Sequence, residues 1–200
     1  MSGTSIEQDS IVIVSGLPRS GTSLMMQMLQ SGGMEAVTDE LRVADENNPR
    51  GYLEFEKVKK LKQDTSWLPT VRGKALKLIS QLLMDLPGTE TYRVLWMERD
   101  LDEVLASQAK MISRLGTQGP SSTSLKQAFE RHLAQVDVWL AKQPSIQTLR
   151  VAYANVISTP ATEAERINAF LGGKLDAAAM CAAVDPALYR ERKDSLTPDV

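Results

Sequence analysis

Four β-branched residues in succession, Ile11-Val12-Ile13-Val14, run into the glycine-bracketed stretch Gly16-Leu17-Pro18-Arg19-Ser20-Gly21 and then into Thr22-Ser23. An apolar run without polar alternation suits a strand covered on both faces, the place of an inner strand in a parallel sheet. The residues from Thr22 to about Gln30 predict a helix, stopped by Ser31-Gly32-Gly33. Its Leu24, Met25, Met28 and Leu29 form one apolar stripe, with the methionines as core filler. Between strand and helix the chain must bend sharply, which the glycines permit. Such a bend turns several backbone N–H groups inward and adds the positive end of the helix, making a nest for phosphate or sulfate.

The remaining pattern extends this beginning. Residues 54–64 predict a helix, 75–79 a second strand followed by a short apolar helix, and 92–97 a third strand. Residues 101–114 predict a helix with Asp100 as its cap, and 125–142 the longest helix. A fourth strand is expected over 148–152 and a proline-started helix over 160–171. Strands alternate with helices, the pattern of an α/β three-layer sandwich with a largely parallel sheet. Residues 10–190 read as one domain, with a loose tail over 1–9 and an irregular one over 191–200. The connection 34–51 ends in the turn-like Asn47-Asn48-Pro49-Arg50-Gly51 and is long enough to carry function.

Composition narrows the partners. Twenty-three basic and 25 acidic residues among 200 leave a net charge of −2, so neither nucleic acid nor an anionic membrane is expected as a partner. A bound anion must be met by a local cluster of donors. The single cysteine, Cys181, excludes an internal disulfide and fits a reducing compartment. Its surroundings, Ala177 to Ala183, suggest a thiol packed on a helix. The run 11–14 is too short for a signal or a membrane span. A cytoplasmic protein is therefore expected, and oligomeric state leaves no trace in the sequence.

The spacing of the bend matches the nucleotide-binding phosphate loop with one change. Where that motif has lysine before its final Ser or Thr, this chain has Thr22. Nucleoside triphosphatases use the lysine on the β and γ phosphates and the hydroxyl beside it on Mg²⁺. Here the cation is Arg19, earlier in the loop. Pro18-Arg19-Ser20-Gly21-Thr22-Ser23 after a buried strand resembles the 5′-phosphosulfate loop of sulfotransferases. That resemblance implies a P-loop nucleoside triphosphate hydrolase-like fold. It implies 3′-phosphoadenylyl sulfate (PAPS) as donor, adenosine 3′,5′-bisphosphate (PAP) as product, and no metal. The donor has no triphosphate tail, which is consistent with losing the lysine. Pro18, Arg19, Ser20, Gly21, Thr22 and Ser23 would hold its 5′ end, with Arg19 neutralising the bridging and leaving oxygens.

Further residues fit the same resemblance. Sulfotransferases bind the donor's 3′ phosphate with an Arg at a strand end and a Ser eight residues on; here these are Arg99 and Ser107. A surface pair of Arg99 with Asp102 or Glu103 is the structural alternative. Lys77, near the end of the second strand, stands where related enzymes place a second cation on the transferring group, and Lys74 competes for the role. Small-molecule sulfotransferases use a histidine base, but His132 is expected on the surface of the long helix, away from the motifs. Tyrosylprotein sulfotransferases use a glutamate about twenty residues after the loop cation, which here is Glu40 in Asp39-Glu40-Leu41-Arg42. Glu54 is the alternative base. Val151-Ala152-Tyr153-Ala154-Asn155-Val156, followed by Pro160, resembles a tyrosine-containing strand and helix of bacterial sulfotransferase-family proteins.

The chain departs from that family at its end. Arg190-Glu191-Arg192-Lys193-Asp194-Ser195 lacks the glycine of the Arg-Lys-Gly segment that closes over the donor in cytosolic sulfotransferases. The implied activity is transfer of a sulfuryl group to an acceptor hydroxyl or amine on a small molecule, carbohydrate or peptide. Tyr52, Phe55 and Trp67 either wall the acceptor pocket or pack the core. Two alternatives remain: a P-loop kinase or nucleoside triphosphatase with a displaced cation, and a non-catalytic nucleotide-binding protein.

Overall fold

A computed structural model describes residues 9–39, 51–114, 116 and 121–188. The opening strand is β1 (Ser10–Gly16), buried along its whole length, and the helix after the bend is α1 (Thr22–Ser31). Strands β2 (Ala75–Ile79) and β3 (Thr91–Glu98) flank β1, and β4 (Ile146–Ala152) lies outside β3. All neighbours are parallel, in the order β2-β1-β3-β4.

The lack of polar alternation in β1 reflects two apolar faces. Val12 and Val14 point into a cluster with Met25, Met26, Met28 and Leu29 of α1. Ile11 and Ile13 point the other way, toward Leu76, Leu78 and Trp96. On that second face lie α2 (Ser80–Leu83), α3 (Leu101–Arg114) and α4 (Ser122–Leu140). Helices α5 (Tyr153–Ser158), α6 (Pro160–Phe170) and α7 (Ala177–Ala182) join α1 on the first. The result is the expected α/β three-layer sandwich.

The order of strands positions the site. From β1 the chain crosses to β2, on one side; from β3 it crosses to β4, on the other. Open parallel sheets place ligands at such a reversal, in the crevice between the carboxyl ends of the two strands. Gly16 and Met97 are register partners there, so the bend after β1 and the end of β3 face one another.

Some elements differ from expectation. Residues 54–64 form only a 3₁₀ turn, Glu56–Lys60, rather than an α-helix. Its buried contacts are Val58 and Leu61, three residues apart, a spacing that one tight turn satisfies. Asp39 Oδ2 accepts from the Glu56 N–H at 2.6 Å and fixes the start of the turn. Tyr153 opens helix α5 instead of extending the strand. The longest helix begins earlier than expected, because Ser121 Oγ caps it by accepting from the Ser124 N–H at 3.3 Å. Cys181 is partly buried on α7, packed as expected. No helix among the described residues is long and apolar enough to cross a membrane. The tail expected over 191–200, most of that over 1–9, the turn residues 47–50 and the basic segment 190–195 lie outside the described residues.

Candidate functional site

The bend is built as a cradle. Ser20 N–H donates to the Leu17 carbonyl at 3.2 Å, closing a turn through Pro18 and Arg19. Arg19 takes a left-handed backbone, φ 70°, and Gly21 follows at φ 100°. At Gly16 a Cβ would lie 2.5 Å from Ser20 Oγ and 2.7 Å from the Met97 carbonyl, so no side chain fits there. Gly21 is closed off in the same way by the Tyr153 ring, 2.4 Å from where a Cβ would stand. Helix α1 starts at Thr22 with no side-chain cap among the described residues and no acidic residue in its first turn. Its first N–H groups and its positive end therefore point into the bend.

Ser20 brings a buried hydroxyl into the bend. It is 1% exposed, and its Oγ has no hydrogen-bond partner among the described residues. Buried hydroxyls are nearly always paired, so an orphan inside an anion nest fits a ligand oxygen. The residues present thus suit a phosphate or sulfate group. A cavity of about 250 Å³ opens beside Ser20, lined also by Leu17, Met97 and Arg99.

Two cations meet at this bend, Arg19 from within it and Arg99 from the end of β3. Arg19 Nε donates to Ser107 Oγ at 2.9 Å, although the two lie 88 residues apart. Arg99, at the end of β3, donates from Nη1 to the Arg19 carbonyl at 3.1 Å and stacks its guanidinium 4.6 Å from the Tyr153 ring centroid. Loop cation, strand-end arginine and helix serine therefore belong to one network. Arg99 also donates from Nε to Glu103 Oε2 at 2.9 Å. That pair was the structural alternative for Arg99, but it is interior rather than on the surface, with side chains 9% and 5% exposed. Glu103 thus orients the arginine at the crevice.

Lys77 occupies the other flank. From β2 its ammonium donates to Ser23 Oγ at 3.0 Å, to the Tyr52 carbonyl at 2.9 Å and to Glu54 Oε1 at 3.2 Å. Its competitor Lys74 instead pairs with Glu35. A lysine absent from the loop sequence is thus replaced in space by one from the neighbouring strand. It reaches the very hydroxyl beside which a nucleoside triphosphatase would carry it.

Other expected residues fall elsewhere. Glu40 and Arg42 lie outside the described residues. His132 is half-buried on the long helix, and its Nε2 lies 2.9 Å from Ser80 Oγ, just past the end of β2. Burial lowers its pKa from 6.5. Trp67 packs in the core and meets Phe55 edge-on at 5.3 Å, so these two aromatics build the interior. Tyr52 is buried too, but its carbonyl and ring both face Lys77. Sequence reasoning missed Glu103 as an interior partner; its spacing four residues after Arg99 on a helix was the available signal.

No protein-family model matches the chain, and no curated protein does. Among solved structures it is similar to the sulfotransferase domain from the Synechococcus PCC 7002 olefin synthase, with a TM-score of 0.57 and 15% identity over 97% of this chain and 90% of that one. It is also similar to the sulfotransferase domain from the curacin biosynthetic pathway, with a TM-score of 0.54 and 12% identity over 96% and 93%. At such identities the likeness is one of backbone architecture. The chain has the α/β fold of sulfotransferase domains.

Proposed function

We propose that this protein transfers a sulfuryl group from PAPS to an acceptor hydroxyl or amine. The observation that carries the reading is the loop's charge arrangement. Its motif lysine is replaced by Thr22, and the cations come from Arg19 within the bend and Lys77 from β2. A donor with one 5′ phosphate next to the transferring group needs cations on both sides of a short anion, not along a triphosphate.

In this reading the N–H groups of the bend, with Ser20, Thr22 and Ser23, hold the 5′ phosphate, and Pro18 and Gly21 shape the backbone around it. Arg19 and Lys77 meet the charge that gathers on the leaving oxygen as the S–O bond lengthens. Fixed donors of that kind supply roughly 10²–10³ in rate each. Arg99 and Ser107 take the 3′ phosphate. Ser107 does so while bonded to Arg19, which would couple the two ends of the donor. A carboxylate takes the acceptor's proton, and the family resemblance gives that role to Glu40. No metal enters. Residues 10–190 would act as one domain in the cytoplasm.

The test is a thermal melt of the protein with PAP against ATP plus Mg²⁺. Stabilisation by PAP at micromolar concentration is expected. Stabilisation by ATP and Mg²⁺ alone would replace this reading with that of a kinase or nucleoside triphosphatase. PAP binding without PAPS turnover on any acceptor would leave a nucleotide-binding protein that does not catalyse.

A further inference from the structure

The family resemblance gives the base as Glu40, which lies outside the described residues; among the described residues the carboxylate paired with Lys77 is Glu54. We propose that Glu54 is the group that takes the acceptor's proton, an assignment that rests on the sulfuryl-transfer reading above.

Three features lead there. Glu54 Oε1 lies 3.2 Å from Lys77 Nζ, and the same ammonium lies 3.0 Å from Ser23 Oγ, so a single cation joins the carboxylate to the bend that would hold the donor. Exposure divides their work. The Lys77 side chain is 8% exposed while that of Glu54 is 29% exposed, which leaves the carboxylate on the open side, where an acceptor arrives. The backbone that presents Glu54 is also held in an unfavourable shape. Leu53 has φ 48°, a conformation that costs energy in any residue with a Cβ. It is kept there by neighbours on both sides. The carbonyl of buried Tyr52 accepts from Lys77, and the Glu54 carbonyl accepts from the Asp39 N–H at 3.2 Å. Strain retained under such constraint collects where a side chain must be aimed.

The step balances. As the acceptor oxygen bonds to sulfur, its proton passes to the Glu54 carboxylate. The S–O bond to the 5′ phosphate breaks, its electron pair stays on the phosphate oxygen, and PAP leaves. Arg19 and Lys77 face that oxygen, and the Glu54 carboxylic acid returns its proton to water.

A group that only steadied Lys77 and one that takes the proton respond differently to the acceptor. N-acetyltyrosinamide brings a proton that a base must remove, whereas 4-nitrophenol is largely ionised at pH 8 and brings none. The experiment follows PAP release from PAPS with both probes, for wild type, Glu54→Gln, Glu54→Asp and Glu40→Gln, with a PAP thermal shift for each. Glu54→Gln should lose roughly 10²–10³ in kcat on N-acetyltyrosinamide, within the range of a general base. It should lose less than tenfold on 4-nitrophenol and keep its PAP shift, and Glu54→Asp should recover part of the rate. Equal losses on both probes would make Glu54 a holder of Lys77 and overturn the assignment. So would a larger selective loss in Glu40→Gln. A wild type that neither shifts with PAP nor releases it would remove the sulfuryl-transfer reading, and this assignment with it. Turnover by wild type matched by Glu54→Gln removes the assignment alone.

Discussion

Ser20→Ala takes one oxygen atom from the bend, and the proposed function gives it opposite effects with and without bound nucleotide. In the free protein the hydroxyl is buried against Gly16 with no hydrogen-bond partner among the described residues. An unmet buried hydroxyl costs about 1–3 kcal/mol. Alanine removes that cost and leaves a hole smaller than a methyl group, for a loss of under about 1 kcal/mol. The free variant should therefore be more stable by about 1 kcal/mol, or about 2–4 °C in Tm for a chain of this size. In the proposed complex with PAP the balance should reverse. A hydroxyl bonded to a charged phosphate contributes about 1.5–3 kcal/mol, so the Kd for PAP should rise roughly 10- to 150-fold. Melts with and without PAP, together with calorimetric titration, measure both halves. A free variant less stable than wild type would mean that Ser20 has a partner in the unliganded protein. An unchanged Kd would mean that its hydroxyl never meets the nucleotide. Either result refutes the reasoning.

Two other substitutions probe the frame around the bend. Gly21→Ala puts a Cβ 2.4 Å from the Tyr153 ring at φ 100°; left-handed strain and overpacking together should cost about 2–4 kcal/mol in urea melts, and a variant within ~0.5 kcal/mol of wild type would show that the ring moves freely aside. His132 is the molecule's one histidine, and burial lowers its pKa from 6.5. The unfolded chain then binds more protons, so this contribution to stability is present above that ordinary value and is lost as the pH falls through the folded one. The urea midpoint should drop between pH 7.5 and 5.5, and His132→Gln, which can still reach Ser80, should flatten the drop; an unchanged slope would assign the pH dependence to other groups.

The fold was legible because its strongest signals are local. The β-branched run Ile11 to Val14 suits an inner strand, and the positions of Arg99 at a strand end and Ser107 two turns along a helix follow from residue counting. Counting cannot reveal what a side chain touches. The bond from Arg19 to Ser107 and the reach of Lys77 to Ser23 join residues far apart in sequence, and only the β2-β1-β3 order brings them together. The sequence offered Glu103 only as a surface partner of Arg99, whereas the pair is interior, and it did not anticipate that Glu54 would share Lys77. The contact of His132 with Ser80 was not legible, because a helix of mixed polarity hides which of its faces meets α2. Residues 54–64 have the periodicity of a helix over too few buried positions to sustain one, and a 3₁₀ turn is what remains.

Tyr153 lies against Gly21 on one side and beneath the Arg99 guanidinium on another. One aromatic plate therefore sets the spacing between two segments that lie far apart in the chain. Anyone grafting this anion cradle onto another scaffold must move three pieces as a set: the turn after β1, the exit of β3, and the first residue of α5. A graft of the turn alone would arrive without the wall that shapes it, and trimming the plate should loosen both segments together.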